Sequence, residues 1–305
     1  MTNEQIKFCH LSFVICSFAH LSIMIIDFHV HIGRSEMWKP WVFDWAINNL
    51  NEQDRLLGAE HYLNSRAATK ETLEKHLDEC GVDYAVVLAE TSPITTGITP
   101  NEYVRDFCRG SQRLIPFCNI NPHMETQPGL ELERLVTQDG FRGIKIYPTY
   151  QHFFPNDARM YPIYAAAQSL GIPLMVHTGS SVFRGAKLKF GDPLTLDDVA
   201  VDFPNLKIVM AHSGRGFWYD RAFFLSRLHE NVYMEIAGLP PQKLLEYFPE
   251  FERNADKIIF GSDWPGMPYI KRNIEIVRSL PLRESTLEKV LGRNAAKVLS
   301  LRGAT

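Results

Sequence analysis

From Met24 onward, short β-branched runs alternate with segments of helical periodicity. This alternation admits few folds, because successive parallel strands need a crossover helix between them. Eight runs read as strands: Met24 to His31, Val82 to Glu90, Leu114 to Ile120, Gly143 to Tyr147, Ile172 to His177, Leu206 to His212, Val232 to Ala237 and Lys257 to Asp263. Helices are expected over 70–80, 100–110, 126–138, 157–170, 193–202, 218–229, 241–252, 268–279 and 284–300. Gly81 and Gly171 suit helix ends, and Pro100, Pro128 and Pro193 suit helix starts, where a missing N–H costs little. No G-x-G-x-x-G follows the first strand, so eight βα units point to a closed (β/α)8 TIM barrel rather than a doubly wound open sheet. Residues 24–305 read as one domain. The first βα connection, 32–69, is unusually long and carries Trp38, Trp41 and Trp45; it reads as a lid or pocket wall, or as a surface excursion packing its own aromatics.

The 305 residues carry a net charge of -3 with no basic run, which disfavours nucleic acid and leaves a small molecule as the expected partner. Five scattered cysteines without C-x-x-C spacing argue against a disulfide framework and fit a reducing cytoplasm. Residues 1–23 contain an apolar run, Phe8 to Phe18, of signal-peptide length but without a basic flank, and too short to span a bilayer. That segment reads as an N-terminal extension ahead of a start at Met24, and no membrane association is expected.

Strand alternation decides which side chains face the barrel axis. With Ile26, Phe28 and Val30 assigned outward, Asp27, His29 and His31 face inward, and two histidines at i and i+2 can share one cation. The same test places His177 inward beyond Leu174 and Val176, His212 inward beyond Val209 and Ala211, and Asp263 inward beyond Ile258 and Phe260. Each alone has a plain structural reading, a loop anchor for His212 or a turn cap for Asp263. Together they are imidazoles and carboxylates buried at the carboxyl ends of strands, where barrel enzymes place their chemistry, and unpaired burial of them is costly. Imidazole and carboxylate donors together suit Zn²⁺ first and Mn²⁺, Co²⁺ or Fe²⁺ next. Asp27 is expected below the histidines as a buttress for one of them.

Asp27-Phe28-His29-Val30-His31, His177, His212 and Ser262-Asp263-Trp264-Pro265, in that order, resemble the amidohydrolase superfamily. More narrowly they resemble its amidohydrolase-related (type 2) branch, which includes aminocarboxymuconate semialdehyde decarboxylase. Gly143-Ile144-Lys145-Ile146-Tyr147-Pro148 and the closing Gly292 to Leu299 belong to the same resemblance, which covers Met24 to about Leu301. It implies a barrel enzyme with one divalent metal on His29, His31, His177 and Asp263, and His212 beside the reacting water. On that reading Asp263 and His212 are the catalytic pair.

Lys145 faces inward where two-metal members of the superfamily carry a carboxylated lysine; unmodified, it is a cation for a substrate carboxylate or an internal partner. Arg34 reads as a second anion contact or as a solvated loop charge, and Glu235 as an inward partner for Lys145. Tyr147 and Trp264 join Trp38, Trp41, Trp45 and Trp218 as aromatics fitted to a planar ligand. The expected activity is hydrolysis of an amide, ester or lactone bond in a small carboxylated substrate. Non-oxidative decarboxylation of an aromatic or unsaturated acid stands close behind. The sequence does not set the oligomeric state; members of such families frequently pair, so the resemblance allows a homodimer.

Overall fold

A computed structural model describes residues 23–48 and 69–301. Among them are β1 (Ile26–His31), β2 (Tyr84–Leu88), β3 (Glu90–Ser92), β4 (Gly97–Thr99), β5 (Leu114–Cys118), β6 (Gly143–Ile146), β7 (Leu174–His177), β8 (Ile208–Ala211), β9 (Val232–Glu235) and β10 (Ile258–Ile259). Eight of these form one sheet in the order β1-β2-β5-β6-β7-β8-β9-β10. Its two edges meet: Phe28 N–H donates to Phe260 O at 3.1 Å, Asp263 N–H to His29 O at 3.0 Å and His31 N–H to Trp264 O at 2.7 Å. Helices flank the strands, so the architecture is the expected (β/α)8 TIM barrel. The antiparallel pair β3–β4 was not among the expected runs; it is a hairpin inserted directly after β2.

Two apolar layers hold the barrel. Val30, Val87, Ile144, Leu174, Val176, Ile208 and Met210 pack outward against helix residues such as Leu77, Leu132 and Ile163. Ile26, Phe28, Val86, Phe117, Met175, Val209 and Ile259 fill the inside, which Ala295, Val298 and Leu299 of the closing helix Asn294–Leu299 plug at one end. Fully burying each such side chain contributes roughly 1.5–3 kcal/mol.

The inner layer corrects two parity assignments. The register of β1 against β2 shifts between Asp27 and Val30, so Ile26 and Phe28 point inward while Val30 points to the helices. A bulge breaks strict alternation in this way. Asp27 meets His29 through the backbone: its Oδ1 accepts the His29 N–H at 3.1 Å. Val209 and Ala211 also point inward, which would send His212 outward had the strand continued.

Helix Lys70–Cys80 follows its expectation, opened by a Thr69–Thr72 capping box and closed by Gly81 at φ 71°. The expected helix over 241–252 is broken into Leu244–Tyr247 and short 3-10 segments, because Pro249 has no N–H to donate and pushes Phe248 out of the helical region. In the 32–69 connection there are a turn at Ser35–Met37 and an unexpected helix at Pro40–Asn48, and Trp38, Val42 and Trp45 of this stretch line a cavity. The rest of that connection, 49–68, and residues 1–22 of the N-terminal extension lie outside the described residues. No described helix is long and apolar enough to cross a membrane.

Candidate active site

The carboxyl ends of β1, β7, β8 and the segment after β10 bring four histidines and an aspartate together. His29 Nε2 lies 3.2 Å from His31 Nε2, and Asp263 Oδ1 lies 3.4 and 3.5 Å from the same two nitrogens. His212 is close enough that one ligand atom each from His29, His212 and Asp263 fall within 4.8 Å of one another. The His177 ring stands 4.7 Å from that of His212, and its buried Nε2 has no hydrogen-bond partner.

Local backbone chemistry sets these positions. Asp27 Oδ1 accepts the N–H of Ser262 at 2.8 Å and of His29 at 3.1 Å, tying β1 to the segment that carries Asp263. Ser262 Oγ donates to His29 O and accepts Trp264 N–H, a second tie across the same seam. His212 enters the site through a left-handed turn, φ 63° at His212 and 46° at Ser213, which reverses the direction β8 would give it. Its Nδ1 lies 2.8 Å from Ala237 O; a carbonyl only accepts, so Nδ1 carries the proton and Nε2 a free lone pair. Glu235 Oε2 accepts the His212 backbone N–H at 3.0 Å and lies 3.5 Å from His29 Nδ1.

Burial, then the Lys145 charge, hold His29 and His177 well below the ordinary imidazole pKa. For His212 burial comes first and Arg215 second. All three rings are therefore neutral at pH 7, the state in which a nitrogen can bind a cation. Burial also pulls Lys145 down to about 8 and pushes Glu235 up to about 8, their mutual attraction opposing both shifts. The neutral rings of His29, His177 and His212, with the Asp263 carboxylate, form a donor set that fits a divalent cation; His177 Nε2 is buried without a partner, and His29, His212 and Asp263 could hold one.

Above these groups opens a cavity of about 260 Å³. Its wall includes Trp38, Val42, Trp45, Tyr147, Tyr150 and Phe183, with polar groups from Glu90, Thr96, Ser180 and Arg215. Of the residues expected to meet substrate, Tyr147 is in this wall and Arg34, Lys145 and Trp264 are not. Arg34 lies 5.6 Å over the Tyr103 ring. Lys145 is fully buried, its Nζ 5.3 Å from the Tyr147 ring and without a hydrogen-bond partner. Trp264 bridges to Val30 and packs its ring 5.7 Å from His76, on the helix side of the barrel.

Arg215 is the residue that sequence reading missed. Its Nη1 lies 3.7 Å from Asp263 Oδ2 and its Nη2 donates to Ser180 O at 3.3 Å. The available signal was the pair of glycines around it, Gly214 and Gly216, both at positive φ. They turn the chain back toward the mouth after His212.

Similar barrels are found in solved structures. An uncharacterised TIM-barrel protein from Bordetella bronchiseptica is 21% identical with TM-score 0.73, over 91% of this chain and 98% of that one. A 5-carboxyvanillate decarboxylase from Novosphingobium aromaticivorans, complexed with manganese and 4-hydroxy-3-methoxy-5-nitrobenzoic acid, is 16% identical with TM-score 0.62, over 92% and 97%. A probable 2-pyrone-4,6-dicarboxylic acid hydrolase from Acinetobacter baumannii, with citric acid bound, is 18% identical with TM-score 0.62, over 90% and 99%. The family model described as Amidohydrolase matches residues 26–301, nearly the whole barrel with both ends of the candidate metal centre inside it, and the chain belongs to the amidohydrolase family.

Proposed function

We propose that this protein is a metal-dependent carboxy-lyase that removes CO₂ from a small planar aromatic or unsaturated carboxylic acid. The carrying observation is the guanidinium of Arg215 set beside Asp263 in an aromatic-walled cavity of about 260 Å³. That volume is just below the range of common ligand pockets, ~300–1,000 Å³, and suits a single ring. Hydrolysis, placed first in the sequence reading, yields to decarboxylation here. The manganese-bound decarboxylase among the similar barrels supports that order, while the pyrone hydrolase shows the same fold under the other chemistry's name.

His29, His31, His177 and Asp263 would hold the divalent metal, Zn²⁺ first by donor type and Mn²⁺, Co²⁺ or Fe²⁺ next, and His212, which also lies within reach of His29 and Asp263, would face the substrate. When bound it supplies Lewis-acid polarisation of the substrate's oxygens. Arg215 grips the substrate carboxylate through its remaining donors, a charge-assisted contact strengthened by the apolar walls. Trp38, Trp45 and Tyr150 exclude water and fix the ring plane. The bond between ring carbon and carboxyl carbon breaks, its electron pair stays on the ring carbon, and a proton must arrive there as CO₂ leaves. Asp263, whose Oδ2 lies 3.7 Å from Arg215 and 4.0 Å from His212 Nδ1, or His212 itself would deliver that proton. His212, its Nδ1–H fixed on Ala237 O, presents Nε2 to the site.

Incubation of metal-loaded protein with hydroxybenzoates and pyrimidine carboxylates should release CO₂. Cleaved or ring-opened products without CO₂ would identify a hydrolase instead. The free thiols of Cys80, Cys108 and Cys118 suit a cytoplasmic location, which accords with a soluble metabolite as substrate.

A further inference from the structure

A carboxylate that the proposed reaction does not use lies beneath the imidazoles. Glu235, the last residue of β9, is fully buried. Its Oε2 takes the His212 N–H at 3.0 Å, and its two oxygens stand 3.4 and 3.5 Å from His29 Nδ1. One side chain thus addresses two of the converging histidines from inside the barrel. The fold also makes room for it: a Cβ at Gly261 would fall 1.9 Å from Glu235 Oε1 and 2.9 Å from the His29 Cβ. Gly261 has no positive φ, so the missing side chain there serves space and not backbone conformation. An imidazole that gives its Nδ1–H to a carboxylate must carry its lone pair on Nε2, and His29 Nε2 is the atom facing His31 Nε2 and Asp263 Oδ1.

We propose that Glu235 is a positioning residue that selects the Nδ1–H tautomer of His29, and thereby raises the affinity of the site for a divalent cation, while it pins the backbone of His212 beside that site. This rests on the metal-centre reading above. Glu235→Gln keeps the volume, and its amide oxygen can still accept the His212 N–H. That orientation puts the NH₂ in the place of Oε1, 3.4 Å from His29 Nδ1, while the amide oxygen stays at 3.5 Å; a face of two acceptors becomes one donor and one acceptor, and the hold on the Nδ1–H tautomer is lost.

Two measurements test it. Zinc affinity, from competition with a chromophoric chelator, should fall about 10–100-fold in Glu235→Gln, the range seen when a carboxylate behind a ligating histidine is removed. In the metal-free wild type above pH 8, where Glu235 is a carboxylate, ¹⁵N spectra of the histidines should show His29 with a protonated Nδ1 and a bare Nε2, and the variant should shift this pattern. Wild-type affinity and an unchanged His29 spectrum in the variant would overturn the proposal. So would an Nε2–H tautomer in the wild type, whether or not any variant folds. If Glu235 serves only to balance Lys145, the double variant Lys145→Met/Glu235→Gln would regain wild-type affinity, which also overturns it. A wild type that takes up no zinc would overturn the metal centre itself, while the wild-type tautomer spectrum would still judge the part played by Glu235.

Discussion

Arg215→Met removes the cation at the cavity mouth and leaves a side chain of similar length. The guanidinium of Arg215 is held loosely, at 3.7 Å from Asp263 Oδ2 and 3.3 Å from Ser180 O, so donors remain for a ligand. A hydrogen bond to a charged group contributes ~1.5–3 kcal/mol. Two charges ~4 Å apart near a protein surface attract by about 4 kcal/mol at most. Arg215 is 27% exposed, which screens the pair and favours the lower range. The expected loss is therefore ~10–100-fold in kcat/KM, since 1.4 kcal/mol is about a factor of ten. Most of it should appear in KM if the carboxylate is gripped equally before and during reaction. The assay compares binding of an aromatic carboxylate and its carboxamide by calorimetry, in wild type and variant. The carboxylate should lose its advantage while the carboxamide is little changed. Equal losses for both ligands would refute the reasoning and mean that Arg215 shapes the wall instead of reading the charge.

Elemental emission should find close to one equivalent of divalent metal in the wild type and a large loss in His177→Ala; two equivalents would show that Lys145 is carboxylated. Gly143→Ala drives a Cβ to within 2.3–2.6 Å of three Phe117 ring atoms, an overpacking worth ~1–3 kcal/mol, and should lower Tm by several degrees in a melt without changing metal uptake. Trp45→Ala removes a ring that packs edge-on to Phe183, 5.4 Å away, and should extend turnover to acids with a larger ring, read by product chromatography over a substrate panel. Thr69→Ala deletes the capping box of the Lys70–Cys80 helix and should cost about 1 kcal/mol in chemical denaturation, with activity unchanged.

Regular strands were legible in the sequence because their chemistry repeats every second residue. Ile144, Lys145, Ile146 and Tyr147 alternate cleanly between helix side and axis, as do Leu174 to His177, and the structure follows both. The barrel was legible for the same reason. Periodicity is lost wherever the chain departs from the repeat. The bulge in β1 leaves Phe28 inside with the histidines, and nothing in Asp27-Phe28-His29 marks the shift. His212 was assigned to the site through a parity that β8 does not have. It arrives there by a turn whose signal, Ser213-Gly214-Arg215-Gly216, lies after the residue and not before it. That turn also delivers Arg215. Arg34 was chosen by its distance from His31, Lys145 by its inward parity and the family resemblance, and Trp264 as an aromatic at the barrel end. None of these grounds distinguishes a wall residue from one that Tyr103, Tyr147 or His76 has already engaged.

The same departures explain why the site sits where it does. Extended strands project side chains along the sheet normal at fixed spacing, which alone cannot crowd four rings and a carboxylate onto one point. Three non-glycine residues in left-handed backbone, His212, Ser213 and Asp263, bend two strand ends over the axis. Each such residue costs ~1–3 kcal/mol and persists only when its surroundings fix it. Here they do: Ser213 Oγ donates to Glu235 O at 2.8 Å, Glu235 holds the His212 N–H, and His29 O takes the Asp263 N–H. Backbone strain at β8 and after β10 is thus anchored on β1 and β9, the strands carrying His29 and Glu235. Convergence of the ligating atoms is therefore a property of the closed barrel and not of any one loop.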